Sequence, residues 1–305
     1  MDVVTGAFSY TGRAIAEDLL RHGRRVRTLS RRDAPGDPIA ERIERAELQF
    51  RDERALREAL AGADTLFNTY WVRFAHGATT FDRAVENTRV LLRAAREAGV
   101  RRVVHVSVTN PSLDSALPYF RGKAQVEDDV RASGLSWAVV RPTLVFGPRD
   151  ILVNNTAWGL RRTPVFPVAG DGRYRVQPVW VGDVAKICIS VGEPDEGVVL
   201  DAAGPETLSY EELVRLVATA IGSRAKILHL PPRAVLALAR TAGALRRDVL
   251  LTREELAGLQ ESLLVSREPP LGTASFRSWV AANGESLGRS YVSELARNFR
   301  PYDPV

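Results

Sequence analysis

Apolar residues in this chain follow two rhythms, and its first half alternates between them. Short, dense runs such as Val3-Val4, Leu66-Phe67 and Val103-Val104 are separated by longer stretches in which apolar positions recur every three or four residues, as at Ile15, Leu19 and Leu20. The dense runs are the length of strands buried on both faces, and the periodic stretches are helices with one apolar face. On this reading strands fall at 25–29, 64–68, 102–107 and 137–140, the last breaking at Arg141-Pro142, with helices at 52–60, 81–98 and 119–132. Gly99 and Gly134 follow the last two helices, where a left-handed residue ends a helix. Strand alternating with helix predicts a doubly wound α/β parallel sheet, a Rossmann-type layer.

After Gly147-Pro148 the rhythm changes. Residues 149–176 hold short apolar pieces between turns such as Gly170-Asp171-Gly172. A strand at 197–200 and a helix at 209–221, opened by a Ser209/Glu212 capping box, read as returning to the sheet layer. From Ile227 the pattern is mostly helical, with pieces near 233–245, 252–264 and 291–298. The division predicted is a dinucleotide-binding domain over 1–148, completed by about 177–222. A smaller, discontinuous, mostly helical lobe over 149–176 and 223–305 would hold substrate. A ligand is expected between them, at the carboxyl ends of the strands.

The turn after the first strand carries the first chemistry. Thr5-Gly6 leads through Ala7, Phe8, Ser9, Tyr10 and Thr11 to Gly12, where a helix opens. The first glycine lets the chain turn and the last lets helix pack on strand. Free amides at the helix start then face a pyrophosphate. Ser9 stands where a middle glycine is usual, and its hydroxyl is expected to reach a phosphate instead. About 20 residues beyond such a turn an NAD site offers a carboxylate to the ribose hydroxyls. Here Ser30, Arg31 and Arg32 occupy that place, which favours NADP(H) over NAD(H) through a guanidinium on the 2′-phosphate. The bland alternative is that both arginines are simply solvated.

The second constellation is Tyr119 four residues before Lys123, which puts phenol and ammonium on one helix face. A phenol with a pKa near 10 is a poor acid or base at neutral pH, and a nearby cation brings it towards the working range. Ser107 ends the preceding strand, where a hydroxyl can hold a substrate oxygen. Thr109 is the fallback.

Composition adds little. The 305 residues carry 45% hydrophobic and 26% charged side chains and a net charge of +5. The basic residues are spread along the chain and almost all are arginine, with no basic helix or aromatic platform, so nucleic acid is not an expected partner. A single cysteine, Cys188, lies in an apolar run and reads as a core thiol; no disulfide or cysteine metal site is possible with one, and no metal is expected. No apolar stretch approaches about 18 residues and no signal peptide is evident, so no membrane span and a cytoplasmic protein are expected.

Taken together, the glycine turn, Asn87, Ser107, Tyr119 with Lys123, the segment 141–148 and the segment 177–185 resemble the short-chain dehydrogenase/reductase superfamily. The likeness is to its extended or atypical branch, which includes epimerase/dehydratase-like and complex I accessory-subunit-like proteins. The resemblance covers roughly residues 1–220. It implies hydride transfer between NADP(H) and a carbonyl or secondary alcohol of a small molecule, with Tyr119 as acid/base, Lys123 as its electrostatic partner and a ligand of the nicotinamide ribose, and Ser107 orienting the substrate oxygen. It further implies that Pro142, Thr143, Leu144 and Val145 line the nicotinamide and that Asn68, Thr69 and Tyr70 flank the adenosine side. Trp71, Phe74, Phe146 and Trp158 follow as walls for an apolar or ring-shaped substrate, with ordinary core packing as the alternative. Arg161, Arg162, Arg173 and Arg175 are candidates for a substrate phosphate. A sugar-nucleotide epimerase or dehydratase that returns its hydride, and a non-catalytic NADPH-binding sensor or accessory protein, remain open, as does a homodimer.

Overall fold

The computed structural model describes residues 1–32 and 34–299. Strand β1 (Asp2–Thr5) is buried at all four positions and leads through the glycine turn into α1 (Tyr10–Arg21). There follow β2 (Val26–Leu29), β3 (Glu44–Ala46), α2 (Glu53–Leu60), β4 (Thr65–Asn68), α3 (Phe81–Glu97), β5 (Arg102–Val106), α4 (Pro118–Arg131) and β6 (Ser136–Pro142). Next come β7 (Leu144–Phe146), α5 (Ile151–Arg162), β8 (Val165–Ala169), β9 (Arg175–Val176) and β10 (Pro178–Trp180). The chain then forms α6 (Val181–Ser190), β11 (Val198–Ala202), β12 (Leu208–Ser209), α7 (Tyr210–Ala220), β13 (Lys226–Leu230), α8 (Pro232–Arg246), α9 (Arg253–Gln260) and α10 (Phe276–Asn283).

Two compact units emerge. The first comprises Met1–Pro142 and Val181–Ala202 and holds a seven-stranded sheet in the order β3-β2-β1-β4-β5-β6-β11. Every pairing in it is parallel. This is the doubly wound layer that the alternation predicts. Its core packs Leu56, Leu60, Leu91, Val126 and Val130 from α2, α3 and α4 onto Val3, Leu66, Val103 and Val139 of the sheet, while α1 packs with α6. The order reverses between β1 and β4, and in open α/β sheets ligands bind outside the carboxyl ends at such a point. Short β3 was not expected: its Glu44 and Arg45 are exposed, so an edge strand of this kind leaves no apolar pattern. Cys188 is fully buried on α6 and burial pushes its thiol up to about 12, as suits a core residue.

The second unit comprises Thr143–Trp180 and residues 203–299. It is less purely helical than expected. Among the described residues it carries three two-stranded ladders, β7 with β10, β8 with β13 and β9 with β12. Its core gathers Phe146, Ala157, Leu160, Val176, Leu213, Val217, Phe276 and Val280. Helix α7 has the expected capping box and packs with α5 and α10 within this unit. Of the span 177–222 expected to complete the first domain, Val181–Ala202 clusters with the sheet unit. Helix α10, unforeseen, is capped by Ser275 and by the Glu206 carboxylate, which accepts from the amides of Phe276 and Arg277. The helix expected over 291–298 is only a short π-helical turn at Leu295–Phe299, where the buried Asp248 carboxylate takes the amides of Glu294 and Leu295. Residues 300–305 of the predicted lobe lie outside the described residues.

Candidate active site

Gly6 sits in the left-handed region at φ +67°, and its amide donates to the Leu29 carbonyl at 2.9 Å. At Gly12 a Cβ atom would lie 2.4 Å from the Gly6 carbonyl oxygen, so helix α1 reaches β1 this closely only because that residue has no side chain. Ser9 departs from expectation. Its hydroxyl donates to the Gly6 carbonyl at 2.6 Å and makes no cap bond to the first turn of α1. A hydroxyl has one proton to donate, so Ser9 stabilises the turn instead of reaching out to a phosphate. The Phe8 ring is buried, and the residue contributes its carbonyl to the surroundings. Tyr10 and Thr11 are half-buried at the helix start. A left-handed glycine, a helix packed without a Cβ and an N-terminus with no side-chain cap fit a dinucleotide pyrophosphate.

At the end of β2 the buried Ser30 hydroxyl accepts the Arg32 amide at 3.0 Å, and the Arg32 guanidinium donates to the Phe8 carbonyl at 3.3 Å. Arg31 is exposed and close enough to the Tyr70 phenol for its charge to oppose the upward pull of burial on that group. Arg32 thus touches the glycine turn from the neighbouring strand, while Arg31 lies towards Tyr70.

A buried polar row crosses the carboxyl ends of β1, β4 and β5. Thr5 Oγ1 donates to Asn68 Oδ1 at 3.2 Å, and the Thr69 amide and hydroxyl bond the Thr5 hydroxyl and carbonyl. The Tyr70 amide also bonds Asn68 Oδ1, and Asn87 Nδ2 donates to the Tyr70 hydroxyl at 2.8 Å. Asn68 and Thr69 therefore shape the loop that follows β4. Asn68 Nδ2 lies 3.2 Å from His105 Nδ1, which places the imidazole proton on Nε2. Burial and the Lys123 charge hold this histidine neutral, and Nε2 finds no hydrogen-bond partner among the described residues. The core histidine is half satisfied.

Helix α4 starts with Pro118, pre-set for a first turn. Tyr119, Lys123 and Glu127 follow at successive four-residue steps and so share one face. Lys123 is 3% exposed; its Nζ donates to the Val106 carbonyl at 2.8 Å and lies 4.6 Å from the centre of the Trp71 ring. Burial brings its pKa down to about 7 against the opposing charge of Glu127. The half-buried Tyr119 ring stands edge-on to Trp71 at 6.0 Å and to Phe81 at 5.9 Å.

Glu127 was not foreseen, although its spacing from Tyr119 and Lys123 was a usable signal. It is 1% exposed and accepts from Ser107 at 2.7 Å, from Arg141 at 2.8 and 2.6 Å, and from Arg131 at 2.9 Å. Burial alone would raise its pKa; the bonds from Arg141 and Ser107 hold it below the ordinary carboxylate value. Ser107 therefore spends its only proton on Glu127 and, so arranged, does not donate to a substrate carbonyl. Thr109, the fallback, is fully buried and donates to Asp201 at 3.0 Å. Replacing Arg141 by Met should leave Glu127 buried with a single half-exposed partner cation and cost about 2–3 kcal/mol at pH 7 in urea unfolding. The loss should shrink as pH falls through the carboxylate range, because protonation removes the buried charge. An unchanged midpoint at pH 7 would show the network to be idle.

Two aromatic expectations are corrected. The Phe74 and Phe146 rings are 2% and 0% exposed, so neither presents a wall to a ligand. Phe146 instead centres a cluster with Trp180, Phe276 and Trp279 in the second unit. Trp158 packs between the guanidinium groups of Arg162 and Arg246 and the ring of Tyr291. Arg161 and Arg162 bind the carbonyls of Gly284, Leu287, Gly288 and Arg289 and so strap a loop within their own unit. Arg175 is exposed. Pro142 and Thr143 are buried, and Leu144 and Val145 are half-buried in the ladder with β10.

A family model described as NAD(P)H-binding matches residues 6–150. Over 250 residues the chain is 31% identical to the ceramide reductase of Caulobacter vibrioides, covering 79% of this chain and 76% of that protein. It is 35% identical over 173 residues to sterol demethylase protein B of Methylococcus capsulatus, 48% of this chain and 52% of the relative, so the match spans about half that protein's length. Among solved structures, the triphenylmethane reductase of Citrobacter sp. complexed with NADP(H) superposes with a TM-score of 0.75 at 16% identity, over 93% of this chain and 99% of that one. At that identity the likeness is one of fold.

Proposed function

Because this chain belongs to the extended short-chain dehydrogenase/reductase-like family of NAD(P)-binding oxidoreductases and epimerases, we propose that it is an NADP(H)-dependent reductase acting on a ketone of a lipophilic molecule. The observation that carries this reading is the pairing on α4: a half-buried phenol one turn from a dry, pinned lysine. NADPH, held at the glycine turn, would supply the hydride. Tyr119 would hold a proton at its phenol oxygen and pass it to the substrate carbonyl oxygen, which becomes an alcohol. Lys123, one turn on, would stabilise the phenolate left behind. Val106 fixes the lysine through its carbonyl. Ser107 acts at one remove, tying the end of β5 to α4 through Glu127. The lipophilic class is supported by the names of two relatives, which refer to a ceramide and a sterol.

The preference for NADP(H) rests on Arg31 and Arg32, which follow β2 where a ribose-binding carboxylate would otherwise stand. Replacing Arg31 by Ala should weaken NADPH binding about 10- to 50-fold in calorimetry, the worth of one charge-assisted bond to a phosphate, and leave NADH within twofold. Equal losses for both cofactors would place that arginine elsewhere.

One observation favours a second reading, an NADPH-binding protein without turnover: the hydroxyls of both Ser107 and Thr109 are donated to carboxylates. The sugar-nucleotide reading is weakened by the use of Arg161 and Arg162 as loop straps.

A further inference from the structure

We propose that Trp71 is a positioning residue of this site, its indole face serving as the counter-group to the Lys123 ammonium, and that Gly122 is the notch in α4 that admits the ring. The inference rests on the acid/base reading of Tyr119 and Lys123 and assigns to Trp71 a role other than substrate wall.

Four observations converge. The Lys123 Nζ lies 4.6 Å from the ring centre, within the range at which an aromatic face attracts a cation, and the attraction is strongest where water is excluded. The ring is held in place by stacking with Phe81 at 6.1 Å and by the edge contact with Tyr119 at 6.0 Å. A Cβ at position 122 would lie 2.9 Å from Trp71 Cη2 and 3.3 Å from Cζ2. Glycine inside a helix is unfavourable relative to alanine, so its place between Tyr119 and Lys123 calls for a reason, and the indole supplies one. Finally, Trp71 Nε1 is buried with no hydrogen-bond acceptor among the described residues. A phenylalanine or leucine would avoid that unmet donor, which leaves the extent of the π face as the property retained.

The choice of lysine points the same way. Only three of the 42 basic residues are lysines, Lys123, Lys186 and Lys226. An ammonium is compact and changes its charge when buried, whereas a guanidinium stays charged and spreads over a plane. The ring acts beside one other partner. Glu127 on the next turn favours the charged lysine through its own charge, but its oxygens are bonded to Arg141, Arg131 and Ser107; His105 on β5 is neutral, and Tyr119 on the preceding turn is the group to be tuned.

Having only three lysines makes a direct test practical. Protein labelled with carbon-13 at lysine should give three side-chain signals, and loss of one in Lys123→Met assigns it. In the cofactor-free protein, Trp71→Leu keeps the site apolar but removes the π face, and should lower the pH at which the Lys123 signal titrates by about one unit. Trp71→Phe should lower it by less than half as much. Gly122→Ala, which leaves the tryptophan in the chain but pushes it off the lysine, should reproduce the downward move and carries the test if Trp71→Leu does not fold. In turnover, Trp71→Leu should reduce kcat several-fold with KM little changed. A Lys123 titration within about 0.2 pH unit of wild type in Trp71→Leu or Gly122→Ala, or one displaced upward as by entering water, would overturn the inference. If the signal moves as expected while Tyr119→Phe keeps its turnover, the ring–lysine contact stands and the acid/base reading fails.

Discussion

Replacing Tyr119 by Phe should lower turnover with a ketone and NADPH by about 10²–10⁴-fold, the usual worth of a positioned general acid. NADPH affinity should stay within twofold, since the glycine turn and Arg31 are untouched. The substitution removes one oxygen and keeps the ring that packs on Trp71 and Phe81, so the helix face should survive it. The two readings part here: a reductase loses its chemistry, whereas a protein that only binds NADPH has none to lose. Turnover above about a tenth of wild type would remove Tyr119 from the acid/base role.

Replacing Lys123 by Met should abolish activity and yet stabilise the protein. Burial lowers the lysine pKa from an ordinary 10.5 to about 7, so between those values the unfolded chain binds a proton that the folded chain does not. Folding is therefore penalised below pH 7, and the penalty fades as pH rises from 7 towards 10.5. At about 1.4 kcal/mol per pH unit the ceiling is about 5 kcal/mol at low pH. Loss of the bond to the Val106 carbonyl and of the contact with Trp71 reduces the net gain to about 2–3 kcal/mol near pH 6. Thermal melts should show the variant above wild type by several degrees at pH 6, with the gap closing by pH 10. A variant less stable than wild type at pH 6 would mean that the lysine is held charged by its partners. Stability given up at a buried ionisable group is the trade commonly found at functional sites.

The sequence made the sheet layer legible because strands covered on both faces are nearly all apolar and their helices repeat every three to four residues. β3 escaped because an edge strand with charged, exposed residues has no such pattern. The capping box of α7 was readable, but capping is a local matter and gives no hint that the helix packs with α5 and α10. At the site, spacing alone put Tyr119 and Lys123 on one face. The same spacing puts Glu127 there, but spacing alone does not distinguish a buried carboxylate from a solvated one. The direction of a hydroxyl is set by its nearest acceptor, so the turning of Ser9 to Gly6 and of Ser107 to Glu127 could not be read from residue type. Aromatic residues after a strand suggested a ligand wall, but burial separates core rings from exposed ones. Phe74 and Phe146 proved to be core, and Trp71 packs on the lysine.

The central claim, a reductase of lipophilic ketones, is tested most directly by following a label. The wild-type protein would be incubated with NADPH deuterated at the transferable position of C4 and with a panel of long-chain and polycyclic ketones, and the products weighed by mass spectrometry. The expected product is an alcohol carrying one deuterium at the former carbonyl carbon, formed in step with oxidation of the cofactor. Tight NADPH binding with no deuterium in any product across the panel would contradict it.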